Sequence, residues 1–131
     1  MPGDGREAGM DESKKKKVGF IGMPAYMYLD MFGDLVFDAF GHTAYLVGSA
    51  TERADFRDVD VRMIVPDEEY KALNVGEFNE LRTNKRWAAI CLAFSELGKN
   101  ITGTPIDFQI QQMTYANKFE GVREPLGIKT Q

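Results

Sequence analysis

Cysteine and histidine are nearly absent from this chain of 131 residues, which has one cysteine, Cys91, and one histidine, His42. A single cysteine excludes an intramolecular disulfide, and one residue of each type excludes a zinc site built from cysteine and histidine alone. Sparse cysteine is typical of proteins that work under reducing conditions. We therefore expect a cytoplasmic protein.

Long apolar runs are also missing. The most continuous apolar stretch, Trp87 to Phe94, is far shorter than the roughly 18 residues that a membrane span requires. The lysines at 14–17 precede an apolar segment, but glycines and Pro24 interrupt that segment and no small-residue cleavage site follows. The sequence predicts neither a targeting segment nor a membrane partner.

An excess of positive charge is the third absence. The chain carries 16 basic and 20 acidic side chains, for a net charge of −4. This balance argues against strong general binding of nucleic acid, which depends on neutralising many phosphates. A polyanionic ligand would need a local basic pocket.

The composition divides the chain into three parts. Residues 1–17 combine glycines with charges of both signs and almost no apolar side chains, and they are predicted to be a disordered N-terminal tail. Residues 18–121 carry the periodic apolar patterns of one globular domain. Residues 122–131 show little periodicity and are predicted to be a C-terminal tail.

Within the domain, apolar spacing predicts helices alternating with strands. The predicted elements are a helix from Leu29 to Phe40 that Gly41 ends, strands at Ala44–Val47, Arg57–Val65 and Pro105–Gln111, a short helix at Asp67–Leu73, a long helix from Glu77 to Leu97 that Gly98 ends, and a last helix at Thr114–Glu120. This order predicts an α/β (α+β) fold with a small mixed sheet of about three or more strands and helices packed on one face. The acidic residues fall on the other face.

Two carboxylates stand two positions apart in the second predicted strand, at Asp58 and Asp60. Alternate residues of a strand share a face, so these side chains would lie together while Val59 and Val61 enter the core. Two adjacent carboxylates repel each other, and a bound Mg²⁺ relieves that repulsion. The alternative is a solvated strand face with Arg62 as counter-charge.

Asp107 alternates with apolar residues in the third predicted strand. If that strand lies beside the second, Asp107 joins the pair, and three carboxylates can hold two divalent ions that activate a hydroxyl and clamp a phosphoryl group. The alternative is an exposed strand position.

Gly48 and Ser49 end the first strand, and Ser49 with Glu52 has the spacing of a capping box that opens a helix. The free N–H groups of a helix N-terminus suit phosphate, and Gly48 would allow the backbone to come close. A simple strand-to-helix turn explains both residues equally well.

The ordered set Gly48-Ser49, Asp58-Val59-Asp60 and Ile106-Asp107-Phe108 resembles the nucleotidyltransferase superfamily, which includes DNA polymerase beta and the minimal nucleotidyltransferases. The resemblance covers roughly residues 29–111. It implies a metal-dependent transfer of a nucleoside monophosphate from a nucleoside triphosphate to an acceptor hydroxyl, with release of pyrophosphate. It also implies two Mg²⁺ or Mn²⁺ ions as cofactors.

By the same resemblance, Gly48, Ser49 and Arg53 bind the triphosphate, and Asp58, Asp60 and Asp107 are the catalytic metal ligands, Asp107 lying beside the acceptor. The sequence departs from the family pattern where Arg53 comes late after Gly-Ser and where Arg57 precedes the first aspartate.

Two further interpretations stay open. One is a non-catalytic nucleotide- or partner-binding module on the same fold, such as a small subunit paired with a separate helical protein. The other is a plain structural domain with a solvated acidic face. The sequence names neither the acceptor nor a partner protein.

Overall fold

A computed structural model describes residues 19–73 and 85–127 of the chain. The predicted tail at 1–17, the start of the predicted long helix and the last four residues lie outside these ranges. The described helices are α1 (Ala25–Phe40), α2 (Asp67–Ala72), α3 (Lys85–Thr102) and α4 (Met113–Ala116), with a 3₁₀ helix at Gly48–Thr51. The described strands are β1 (Ala44–Val47), β2 (Val59–Val65), β3 (Ile106–Gln112) and β4 (Glu124–Leu126).

The four strands form one mixed sheet in the order β3-β2-β1-β4. β1 pairs antiparallel with both β2 and β4, whereas β2 and β3 run parallel. The predicted α/β class with a small mixed sheet is therefore confirmed. Parallel pairing of β2 and β3 sets their residues directly opposite each other, with Asp60 opposite Asp107.

Buried apolar residues alternate with polar ones in β2 and β3, so the two strands share one apolar face and one polar face. Val59, Val61 and Met63 of β2 are buried on the apolar face, as are Ile106, Phe108 and Ile110 of β3. Leu29, Phe32 and Val36 of α1 and Trp87 and Cys91 of α3 pack against them in a single core. Each fully buried large side chain stabilises the fold by about 1.5–3 kcal/mol.

The edge strand β3 is tied to α3 by two side chains. The Trp87 indole Nε1 donates a hydrogen bond to the Ile110 carbonyl at 2.9 Å, and the Phe108 backbone N–H donates to Ser95 Oγ at 2.8 Å. These bonds satisfy backbone groups that an edge strand leaves unpaired. They fix β3, and with it Asp107, against the helical layer.

The other edge strand, β4, lies in the segment that was predicted to be a C-terminal tail. Helix α1 holds this strand through three contacts. The Tyr26 hydroxyl donates to Glu124 at 3.2 Å, Asp30 Oδ1 accepts from the Gly127 N–H at 3.0 Å, and Gly33 lies directly against Leu126. The three residues of β4 include Pro125 and carry no alternating pattern, so nothing in this segment signals a strand.

Several predicted boundaries were wrong. α1 begins at Ala25 and not at Leu29. β2 begins at Val59 and not at Arg57, which leaves Asp58 just before the strand. α3 continues through Gly98 to Thr102, and Gly98 is buried in it, where a Cβ would lie 3.1 Å from Ile106 and 3.2 Å from Phe32. The last helix is only one turn, Met113–Ala116, and not Thr114–Glu120.

Across residues 19–73 and 85–127, no helix combines the length and the apolar character that crossing a membrane demands.

Candidate functional site

Asp60 and Asp107 lie directly opposite each other on the parallel strands β2 and β3. Both project from the polar face of the sheet, where their side chains are 27% and 43% exposed. The expectation that the strand of Asp107 lies beside that of Asp60 is confirmed. Residues separated by 47 positions are thus brought together by the register alone.

Gly48, which directly follows β1, lies against the Asp60 side chain. Its φ of +80° is a left-handed conformation that glycine adopts without steric cost. A Cβ on Gly48 would lie 2.3 Å from Asp60 Oδ2, so any larger residue would collide with that carboxylate. The glycine was expected to allow phosphate to approach the backbone, and here it allows the turn to pack against Asp60.

The turn after Gly48 is a 3₁₀ helix held by its own backbone. The Ser49 carbonyl accepts hydrogen bonds from the N–H groups of Glu52 at 3.0 Å and Arg53 at 2.8 Å, and Thr51 Oγ1 donates to the Gly48 carbonyl at 2.6 Å. The predicted capping box between Ser49 and Glu52 is wrong. The helix begins two residues earlier, at Gly48 after Val47, and no side chain caps it, so Ser49 lies within the turn.

The Arg62 guanidinium lies between the two facing carboxylates. Its Nη2 is 3.4 Å from Asp107 Oδ2 and 3.9 Å from Asp60 Oδ1, and its Nη1 donates to the Asp107 backbone carbonyl at 2.7 Å. The Arg62 side chain is only 14% exposed. The counter-charge of the alternative interpretation is therefore present at the centre of the site.

Burial raises the pKa of Asp60 above its ordinary value of 3.8. The Arg62 guanidinium lowers this pKa, while the Asp107 and Asp58 carboxylates raise it further. The net effect is an increase, so Asp60 is an anion held partly out of water beside two like charges.

A polar cavity of about 360 Å³ opens on one side of Asp60. It is lined by Ser49, Arg53, Asp55, Arg57, Asp58 and Asp60. Arg53 Nε lies 3.3 Å from Asp55 Oδ1, and both side chains are exposed. Four residues of the predicted site thus lie around one opening: Ser49, Arg53, Asp58 and Asp60. Arg57, whose position before Asp58 departs from the family pattern, lines the same cavity.

A second cavity, of about 400 Å³, lies on the other side of Asp60 over the polar face of the sheet. Gly48, Asp60, Arg62 and Gln109 line its floor, and Tyr115 and Phe119 form a wall. The two aromatic rings meet edge to face with centroids 5.2 Å apart. Asp60 is therefore the residue that the two cavities share, with Gly48 beside it.

The wall of the larger cavity is braced by Arg123, whose Nη2 donates to the Ala116 carbonyl at 2.9 Å and to Asn117 Oδ1 at 3.1 Å. Sequence reasoning missed Arg123, which lies in a segment without periodicity, and Phe119, which was predicted to lie in a helix at Thr114–Glu120 but was not assigned to the site. Gln109 and Gln111 were also missed, although their alternation with apolar residues places them on the face of Asp107. That alternation could have identified them.

No protein-family model, curated protein or solved structure matches the chain.

The donor atoms at the site suit a divalent cation on the side of the polar cavity. Asp58 and Asp60 both line that cavity, and Mg²⁺ is commonly bound by one or two carboxylates together with phosphate oxygens of a ligand. In the described ranges, however, no group of three or more histidine, cysteine, aspartate or glutamate side chains is placed to hold a metal ion. The Arg62 guanidinium lies against Asp107, the third residue of the predicted trio.

Proposed function

We propose that this protein is a metal-dependent nucleotidyltransferase, which moves a nucleoside monophosphate from a nucleoside triphosphate to an acceptor hydroxyl and releases pyrophosphate. One observation carries the proposal. The Gly48 turn, Asp60 and Asp107, which are far apart in the sequence, meet at one point of the sheet, with Gly48 against the Asp60 carboxylate and Asp107 opposite it.

The polar cavity is the proposed triphosphate site. Arg53 and Arg57 supply positive charge at its rim, and Ser49 supplies a hydroxyl. Guanidinium groups bind phosphate oxygens through paired, charge-assisted hydrogen bonds. A divalent ion bound by Asp58 and Asp60 would neutralise charge on the phosphates and on the leaving pyrophosphate. Without that ion the two aspartates would repel a triphosphate.

The larger cavity is the proposed nucleoside site. Tyr115 and Phe119 give an aromatic wall on which a base can stack, and Gln109 offers an amide that both donates and accepts hydrogen bonds. A volume of about 400 Å³ lies within the usual range for small-molecule sites. Because Asp60 borders both cavities, a nucleotide that spans them would place its phosphates beside the carboxylates.

Asp107 is the proposed proton acceptor for the acceptor hydroxyl. Its side chain is 43% exposed and lies beside Asp60, so a hydroxyl entering from solvent can reach it. Deprotonation by a positioned carboxylate typically contributes about 10² to 10⁴-fold to a rate. The remaining catalytic effect is positioning and charge neutralisation at the phosphorus.

The proposal is tested by calorimetric titration of the full chain with each nucleoside triphosphate, with Mg²⁺ or with chelator. We expect binding with Mg²⁺ that is lost in chelator and in Asp60→Asn, and retained in Glu96→Gln, an exposed site on α3. Incubation with cell extract and α-labelled triphosphates then tests transfer to an acceptor. Equal affinity with Mg²⁺ and with chelator would contradict the metal-dependent site.

A partner-binding module is the second candidate, and one surface favours it. Met27, Met31 and Leu35 of α1 are 55%, 51% and 44% exposed and lie four residues apart, so they form a continuous apolar stripe on one helix face. Exposed apolar stripes commonly mark protein interaction sites. If Met31→Glu abolishes the biological effect of the protein and Asp60→Asn does not, the module is favoured over the enzyme.

A further inference from the structure

Arg62 is a charged side chain at the centre of the site to which the proposed function gives no role. It lies two strand positions beyond the Asp60–Asp107 pair, opposite Gln109 on β3, and its side chain is more buried than either carboxylate. A guanidinium is always charged, so burying it here requires compensating partners.

Those partners are mainly backbone atoms. Nη1 donates to the carbonyl of Asp107 at 2.7 Å and to that of Val61 at 3.2 Å. The carbonyl oxygens of β2 and β3 do not titrate, and they bind Mg²⁺ more weakly than carboxylates do. These bonds therefore hold the guanidinium in place independently of the carboxylates. Nη2 then contacts Asp107 Oδ2 at 3.4 Å and faces Asp60 Oδ1 at 3.9 Å.

We propose that Arg62 takes the place of a second divalent ion, so that the protein binds one ion, at Asp58 and Asp60, and not two. The inference rests on the proposed function. The position between Asp60 and Asp107, where a second ion would bridge the two carboxylates, already holds a positive charge. A bridging ion requires carboxylate oxygens at about 2.0–2.1 Å and would lie against the guanidinium, which repels it.

The absence of a three-carboxylate group in residues 19–73 and 85–127 agrees with this assignment. Arg62 is then a positioning residue. Its Nη2 contacts Oδ2 of Asp107, whereas Oδ1 of Asp107 accepts a long contact, 3.5 Å, from the Gln109 amide. Arg62 therefore orients one carboxylate oxygen of Asp107, and the long contact from Gln109 engages the other.

The test is the number of metal ions bound per chain. Mn²⁺ is titrated into the full-length protein with a non-hydrolysable nucleoside triphosphate, bound Mn²⁺ is counted by electron paramagnetic resonance, and a nucleotide blank is subtracted. We expect one Mn²⁺ per chain in the wild type and in Arg62→Lys, which keeps the charge. We expect two in Arg62→Met, and one again in Arg62→Met combined with Asp107→Asn.

Two Mn²⁺ per chain in the wild type would overturn the inference and leave the proposed function standing. A single Mn²⁺ in folded Arg62→Met would also overturn it, because removing the guanidinium would then have opened no site. No bound Mn²⁺ in any form would overturn the proposed function and this inference together. If circular dichroism shows that Arg62→Met does not fold, Arg62→Gln replaces it in the titration. The count of Mn²⁺ in the wild type tests the inference without any variant.

Discussion

Gly48 is constrained both by its own backbone and by its neighbour. A residue with a Cβ pays about 1–2 kcal/mol for a left-handed conformation, and at Gly48 that Cβ would also collide with Asp60 Oδ2. We expect Gly48→Ala to lower the free energy of unfolding by more than Gly41→Ala. Gly41 has nearly the same φ, +78°, and a Cβ there would meet no atom of the described residues within 4 Å.

Urea unfolding of the two alanine variants isolates the collision with Asp60 from the backbone strain. Equal losses of stability would mean that the Asp60 carboxylate moves aside without cost. In that case the nucleotide affinity of Gly48→Ala measures how much the position of the Asp60 carboxylate contributes to binding.

The raised pKa of Asp60 links stability to pH. The folded protein binds a proton at Asp60 more tightly than the unfolded chain, so this group's contribution is fully favourable below pH 3.8 and is lost as pH rises through the raised pKa. At pH 7 the buried charge is therefore a cost. We expect Asp60→Asn without metal to melt at a higher temperature than the wild type at pH 7, with a smaller difference near about pH 3.5.

Thermal unfolding at the two pH values measures this difference, and Asp55→Asn is the matched control because Asp55 lines the same cavity but is exposed. A lower melting temperature for Asp60→Asn at pH 7 would instead identify Asp60 as a stabilising partner of Arg62.

A substitution at Asp107 distinguishes an effect on nucleotide binding from an effect on nucleotidyl transfer. If Asp60 and Asp58 hold the nucleotide-bound ion, loss of Asp107 should affect chemistry more than affinity. We expect Asp107→Asn to keep the Mg²⁺-dependent affinity for nucleotide within about tenfold, or 1.4 kcal/mol, while transfer falls by about two orders of magnitude. Calorimetry and single-turnover transfer on the same preparation give both quantities. Full activity in Asp107→Asn would remove this residue from the site.

At the level of elements, α1 and β4 depend on the close approach at Gly33. A Cβ there would lie 2.7 Å from backbone and side-chain atoms of Leu126. Alanine normally favours a helix over glycine by about 1 kcal/mol, yet we expect Gly33→Ala to destabilise the protein by about 1–3 kcal/mol, because α1 and β4 must separate.

Urea unfolding of Gly33→Ala, compared with Gly22→Ala, measures this effect. A Cβ at Gly22 would meet no atom of the described residues within 4 Å, so Gly22→Ala reports only the change in chain flexibility. A stabilised Gly33→Ala would mean that β4 is not held by α1.

The elements with strong periodicity could be predicted from the sequence, and those made by tertiary contacts could not. The helix ending at Gly41 and the strand Ala44–Val47 match the structure at those ends, because a glycine stop and a short apolar run depend on local chemistry. Gly98 misled the prediction, since its role is to let α3 approach Ile106 and Phe32. β4 was missed because its pairing with β1 and its contact with Gly33 determine it.

The candidate site, too, could be predicted from the sequence only in part. Alternation placed Asp60 and Asp107 on one face, and only the parallel register of β2 and β3 brings them opposite each other. Arg62 was anticipated as a counter-charge on this face, but its position between the two aspartates depends on carbonyl groups of two strands. The wall of Tyr115 and Phe119 requires the turn that Arg123 braces.

At the level of the whole molecule, the sheet order has a consequence for synthesis of the chain on the ribosome. β1 is the first described strand to be made, but its outer edge pairs with β4, the last described strand. Until residues 124–126 have left the ribosome, the nascent domain carries an open strand edge beside the uncovered Gly33 face of α1. Open strand edges pair readily with other chains. The final step of folding therefore both completes the sheet and removes the surface through which the nascent chain would aggregate.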